Sequence, residues 1–476
     1  MVPLAVLLLS ACATVPQLGR APAPRTPDTF AADRSLAATG DAAWPVQDWW
    51  QGYGDAQLDA LIAEALAGSP DLAAATARIA QAEGYARQAG SARLPTLGAS
   101  GNVAATKQSY NNGIPAAFVP KGWNDTGRVQ ADLGFDLDLW GRNRAAYAAA
   151  RSDAQAARLD FAQAQLTLST NIADAYADLA RLSAERVVAL AALEVRQQTA
   201  TLTADRVVGG LDTRAEQKQA DSAVPAARAD VAATDEAIAL TRNRIAALLG
   251  KGPDRGLAIT PPAATIPARG VPMGVTTDLI ARRPDIVAAR TRVEAEASRI
   301  KVARADFYPS FSLSAVFGLQ AFGLGNLVNG GSTAGSIGPS FNLPIFRGGQ
   351  LDGSYRVARG SYDAAVADYD RTVTGAYRAV ADAVVSQRAL TTRLNESQQS
   401  LADARAGYDV ARQRFEGGLS RFTDVLVAQD RVLQARRIVA DLQARAFTLD
   451  VALVRALGGG FTAPVTVPQT KDLTHG

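Results

Sequence analysis

Ser69-Pro70-Asp71-Leu72, followed by Arg78-Ile79 and Pro95, is echoed at one constant offset by Arg283-Pro284-Asp285-Ile286, Arg292-Val293 and Pro309. A repeat of this kind sets the architecture, because each copy is one structural unit. The echo continues in the same order. Leu168, Ile172, Tyr176 and Leu179 return as Tyr369, Val373, Tyr377 and Val380, an apolar stripe at helical spacing. Arg206-Val207-Val208-Gly209-Gly210-Leu211 returns as Arg414-Phe415-Glu416-Gly417-Gly418-Leu419, and Leu249-Gly250 as Leu457-Gly458. Each half therefore reads as helix, extended block, very long helix, Gly-Gly turn, helix.

The first repeat is expected over 44–252 and the second over 273–460. A proline-rich linker over 253–272 lies between them, and a tail covers 461–476. Helical stretches are expected at 56–93, 142–208 and 211–249, then at 277–307, 350–416 and 419–457. Ala and Arg, both strong helix formers, dominate them. A helix over 142–208, at 1.5 Å per residue, would be about 100 Å long, more than a compact globule accommodates. Its narrow Ala-rich stripes point to coiled-coil packing between helices. Pro225 should kink the third stretch.

Between the helices the period changes from helical to two. Val129, Ala131, Leu133, Phe135, Leu137 and Leu139 alternate with Arg128, Gln130, Asp132, Gly134, Asp136 and Asp138. Phe311, Leu313, Ala315, Phe317 and Leu319 alternate in the same way, and weaker versions run through 96–105 and 337–345. The four strands expected are 96–105, 128–139, 310–320 and 337–345. Strands of about ten residues with one apolar face fit a transmembrane barrel, but a soluble sheet packed on helices alternates too. The long helices and the N-terminus favour the barrel. Four strands cannot close one, so the chain must oligomerise. Two copies supply eight strands and three supply twelve, and only the larger number leaves an obvious water-filled lumen.

The N-terminus, Met1-Val2-Pro3-Leu4-Ala5-Val6-Leu7-Leu8-Leu9-Ser10-Ala11-Cys12, is an apolar run of secretory type, too short to span a bilayer. Leu9-Ser10-Ala11-Cys12 resembles the bacterial lipobox, in which Cys12 is acylated and the chain is cut just before it, within a signal peptide and lipobox over 1–12. Cys12 is the only cysteine, so its lipidation would leave no disulfide to staple the fold. No Lys or Arg precedes the apolar run, where a positive segment is expected, so the true start is expected upstream. Ala13 rather than Asp follows the cysteine, which favours the outer membrane. Residues 13–43, rich in Ala, Pro, Thr and Arg, suit a tether.

Composition excludes several classes. Forty-nine basic against 46 acidic residues leave +3, interspersed along the helices, and no nucleic-acid footprint follows. The sole histidine, His475, lies one residue from the end, and no Walker A, G-x-G-x-x-G or G-x-S-x-G run appears. One His, one Cys and two Met offer no metal-ligand cluster. No enzyme, cofactor or metal site is expected.

Trp49-Trp50 with Tyr53, Asp55, Leu58 and Leu61 forms one group of motifs in this chain, and the Pro-Asp-Leu helix openings form another. With Phe135 through Arg142, Pro344 through Gly349 and the closing Leu457-Gly458-Gly459-Gly460, they resemble TolC-type outer-membrane efflux channels, in the lipoprotein branch called NodT or OprM-like. The resemblance covers nearly everything from Trp44 to Gly460. It implies a mainly α fold with membrane β: an internally duplicated coiled-coil barrel of long helices plus four transmembrane strands per chain, twelve in a homotrimer. It further implies a lipid-anchored protein of the outer membrane, extending into the periplasm. Such a channel is a passive conduit that receives cargo from an inner-membrane RND-type transporter through a periplasmic adaptor, or membrane-fusion, protein. Type I protein secretion and a non-pore, periplasm-spanning brace are the alternatives.

The resemblance also assigns sites. Gly209, Gly210, Gly417 and Gly418 would form the periplasmic tips that touch the adaptor, although glycines at these places also serve as plain helix C-caps. Glu216 and Asp424 occupy equivalent places where relatives carry an acid at the closed pore mouth. Threefold symmetry would make each a ring of carboxylates, with Arg206, Arg214, Arg414 and Arg421 available to compensate the repulsion. Two solvated helix charges is the simpler reading. Phe415 stands where some relatives have a Tyr, and Val427 where many have a pore-constricting Asp, so the lock here is looser or built from other residues.

Overall fold

A computed structural model describes residues 14–37, 42–262 and 270–463, so Cys12 and the apolar run before it lie outside the described residues. In chain order the main elements are α1 (Ala56–Gly68), α2 (Pro70–Ser91), β1 (Thr96–Thr106), β2 (Asn124–Asp136), α3 (Arg142–Val208) and α4 (Arg214–Leu248). They continue with α5 (Val275–Arg282), α6 (Pro284–Ala305), β3 (Ser310–Phe322), β4 (Thr333–Asn342), α7 (Gln350–Glu416) and α8 (Phe422–Ala456). The two longest helices, α3 and α7, are each 67 residues.

Two expected helices are each split in two. Ser69 and Arg283 are both extended, with ψ of 127° and 121°, and Pro70 and Pro284 open the next helix. The proline ring clashes with a helical residue before it, and its missing N–H costs nothing at a first helical position. In each half a Leu-Gly cap packs on this break. A Cβ on Gly250 would come within 2.6 Å of Pro70 Cδ, and one on Gly458 within 2.0 Å of the Arg282 carbonyl oxygen. α4, by contrast, runs through Pro225 from Arg214 to Leu248.

The described residues gather into two compact units, each drawing segments from both halves of the sequence. The first comprises residues up to Pro24, Arg78–Arg158 and Ala288–Tyr369. Its centre is one antiparallel sheet in the order β1-β2-β3-β4, so β2 and β3 join the halves and β1 and β4 form the two edges. Register places Arg128 opposite Gln320, Asp136 opposite Ser312 and Phe311 opposite Phe341. The polar face is cross-linked: Arg128 donates to Gln320 Oε1 at 3.1 Å, Ser100 to Asp132 at 2.9 Å, and Ser312 and Ser340 meet at 2.8 Å. On the other face Leu97, Val129, Phe317, Ile337 and Phe341 are all exposed. A soluble sheet would bury that face.

β2 starts and stops earlier than the alternation alone suggests. Asp138 leaves the strand with φ of 45° and caps α3, accepting from the amides of Asn143 at 2.8 Å and Arg144 at 2.9 Å. In the same unit Arg359 on α7 donates to the carbonyls of Gly19 and Arg20, so this part of the tether is held against a helix.

The second unit comprises Arg25–Ala77, Leu159–Val287 and Asp370 onward. Trp49, Tyr53, Leu58, Leu61 and Ile62 pack with Ile172, Tyr176 and Leu179 of α3, Ile245 of α4 and Phe447 of α8 into its main core. Its tyrosine hydroxyls are paired with carboxylates. Tyr53 donates to Asp450 Oδ2 at 2.6 Å, and Tyr176 donates to Asp55 Oδ2 at 2.8 Å, while Asp55 Oδ1 caps α1. Burial, with the neighbouring Asp55 carboxylate, pushes the Tyr176 hydroxyl above its ordinary range. Arg455 ties α8 to α3 through Thr170, Asn171 and Asp174 at 2.8 to 3.0 Å.

Candidate functional site: the two glycine turns

Both Gly-Gly turns lie in the second unit and share one backbone design. At the end of α3, Gly210 N–H donates to Val207 O at 3.1 Å and Leu211 N–H to Arg206 O at 2.8 Å. At the end of α7, Gly418 donates to Phe415 O at 2.9 Å and Leu419 to Arg414 O at 2.7 Å. This is the Schellman pattern, which returns the last orphan carbonyls of a helix to the chain that follows it. Only the second glycine of each pair has positive φ, 70° at Gly210 and 72° at Gly418. A Cβ on Gly209 or Gly417 would meet its nearest neighbours at 3.5 and 3.4 Å, an ordinary contact. The conformational demand falls on Gly210 and Gly418 alone.

The helices that leave these turns begin differently. Thr213 is the N-cap of α4 and Glu216 completes a capping box: Glu216 Oε2 accepts from the Thr213 amide at 2.7 Å and from its hydroxyl at 2.9 Å, and the Glu216 amide donates back at 3.3 Å. The amide and hydroxyl of Thr213, followed by the nearby Arg206 and Arg421 cations, hold the Glu216 carboxyl below its ordinary value. At α8 the N-cap is Arg421, whose side chain has no acceptor, so only half the device exists. Asp424 Oδ2 accepts from the Arg421 amide at 3.2 Å.

Side chains join the two turns. Arg206 pairs with Asp212 at 2.9 Å and lays its guanidinium 4.1 Å from the centre of the Phe415 ring. Phe415 contacts Phe422 at 5.3 Å between centroids, and both are buried with Ala220, Val425 and Leu426 in a satellite core. Arg214, Arg414 and Arg421 are exposed, and Val427 is 53% exposed. Of the basic residues singled out from sequence, Arg206 is thus drawn into the junction of the turns. Sequence reasoning passed over Asp212, Thr213 and Phe422. The run Thr213-x-x-Glu216 was a legible capping signal, whereas nothing local marks Phe422 as the partner of Phe415.

Among the described residues no group of His, Cys, Asp or Glu is placed to hold a metal ion, and no helix is long and apolar enough to cross a membrane. His475 lies outside them.

The family described as Outer membrane efflux protein matches the chain over residues 61–251 and 275–459. The chain is 38% identical over 362 residues to the fusaric acid resistance protein FusA of Burkholderia cepacia, covering 72% of this chain and 66% of that protein. It is 29% identical over 447 residues to the multidrug resistance outer membrane protein MdtP of Shigella flexneri, covering 92% and 91% of the two chains. Among solved structures, the outer membrane protein VceC of Vibrio cholerae superimposes with a TM-score of 0.84 at 44% identity, covering 88% of this chain and all of that one.

Proposed function

This chain belongs to the outer membrane efflux protein family, and on that premise we propose that it is the outer-membrane channel of a tripartite efflux assembly. Family members form trimeric channels that work with adaptor proteins and inner-membrane transporters. The observation that carries the reading is the sheet of the first unit. Its apolar face is exposed, and its outer strands β1 and β4 are each paired on one side only among the described residues. In hydrocarbon every backbone group needs a partner, so such a sheet is complete only as part of a closed barrel. Three copies supply twelve strands and a lumen wide enough for water. A periplasmic brace would have no use for an exposed apolar sheet.

In this reading the channel is passive, and a transporter with an RND-type mechanism supplies the energy through its adaptor. The tip glycines present the adaptor contact. Glu216 and Asp424 form the acidic rings at the pore mouth, with Arg206 and Arg421 close enough to Glu216 to oppose the repulsion. Acylation of Cys12 would add a second membrane attachment, with the strapped tether leading to it.

Single-particle imaging of the detergent-extracted protein tests the proposal. The expected particle is a threefold tube well over about 100 Å long, since one 67-residue helix already reaches that length. A monomeric rod without a barrel would refute it.

A further inference from the structure

Where strands give way to helices, the first unit carries a groove of about 550 Å³. It is lined by the small residues Gly141, Ala145, Ala148 and Ala305 together with aromatic and basic side chains. Trp140 and Tyr308 stack at 4.9 Å between centroids and 25° between planes, and they remain 50% and 37% exposed. The indole N–H is already given to Pro309 O at 2.7 Å, so the pair offers ring faces rather than donors. Arg144, Lys301 and Arg304 supply the charge, and all three are exposed. Arg144 shares Asp138 at 3.3 Å, but Lys301 and Arg304 have no acidic partner among the described residues.

We propose that this groove binds the headgroup of an anionic phospholipid in the leaflet that faces the helices. The inference rests on the barrel reading above: if the strands span hydrocarbon, then the residues between Asp136 and Arg142 and between Ala305 and Ser310 lie at its boundary. Trp and Tyr settle at that level because one part of the ring system is apolar and one part polar. Leu137 and Leu139, exposed beside them, offer a surface for acyl chains. Three cations against one carboxylate leave the groove positive, which suits a phosphodiester, and a basic residue near an anionic membrane surface contributes about 1 kcal/mol.

Native mass spectrometry of the assembled channel, released from detergent after incubation with phosphatidylglycerol or phosphatidylcholine, tests the site. The preparation is first shown to conduct in planar bilayers. The wild type should retain phosphatidylglycerol preferentially, and K301Q/R304Q should lose that preference by about tenfold or more. K107Q/K121Q, which removes two cations from the loop between β1 and β2, should keep it. A conducting channel with no lipid preference, equal loss in both variants, or displacement by free glycerol phosphate at the same concentration would each overturn the headgroup site. A chain that fails to insert and conduct would instead overturn the barrel.

Discussion

The guanidinium of Arg206 lies 4.1 Å above the ring of Phe415, joining the turn of the first repeat to the turn of the second. Phe415 also packs against Phe422, so one aromatic side chain fastens both turns together. Replacing Phe415 by Ala should loosen the pair by about 3 kcal/mol, the usual scale for a buried ring. Hydrogen exchange should then rise together at the amides of 206–213 and 414–421. Faster exchange confined to 414–421 would show that the two turns are not coupled. In a double-mutant cycle, R206Q and F415L should couple by about 0.5 to 1 kcal/mol.

The paired glycines separate by conformation. Gly210→Ala and Gly418→Ala place a Cβ at φ near 70°, which should cost about 1 to 2 kcal/mol each. Gly209→Ala and Gly417→Ala should be nearly silent. Exchange protection of the Leu211 and Leu419 amides, the long-range donors of each turn, reads the difference. Equal effects at both positions of a pair would contradict the geometry.

Glu216 and Asp424 each carry a charge and a cap, and substitution can part the two. Gln and Asn keep an acceptor at the third helical position and lose the charge, whereas Ala loses both. If the carboxylates shape the pore mouth, E216Q/D424N and E216A/D424A should both raise single-channel conductance. A rise in the Ala pair alone would reassign the acids to capping. Because the Glu216 carboxyl is held below its ordinary value, its support of the turn is full above the ordinary Glu range and fades as pH falls through the lowered value. Exchange at 211–217 should quicken over that acid range, and E216Q should not show the change.

Glu185 behaves in the opposite sense. Burial and the Asp441 side chain push its carboxyl up, against Arg181 at 2.8 Å. A raised acid takes up its proton more readily in the folded chain, so stability grows as pH falls through the raised value and is lost as pH rises through it. E185Q should therefore raise the thermal midpoint near neutral pH, with the gain shrinking as the buffer approaches the ordinary carboxylate range. A gain constant with pH would point to packing instead.

Sequence made the long helices legible because their signals are local. An apolar stripe ending in Gly-Gly gives α3 and α7 their ends at Val208 and Glu416. The breaks before Pro70 and Pro284 are equally local, being a clash of the proline ring with the residue before it. Strand ends were harder, since alternation through Leu137 and Leu139 says nothing of Asp138 turning aside to cap α3. Least legible were the contacts that fasten the turns, because Arg206 and Phe415 are distant in sequence and only the folded chain brings them together.

The two open edges of the sheet have a consequence for how the protein is made. A lone protomer exposes both an apolar face and unpaired strand backbone, the combination that templates misassociation. On the barrel reading it is therefore a hazardous intermediate on its way to the membrane, one that should need an escort until sister copies take up its edges. Productive assembly should depend steeply on protomer concentration at the membrane. Overproduction without matching insertion capacity should yield inclusion bodies rather than a pool of soluble monomer.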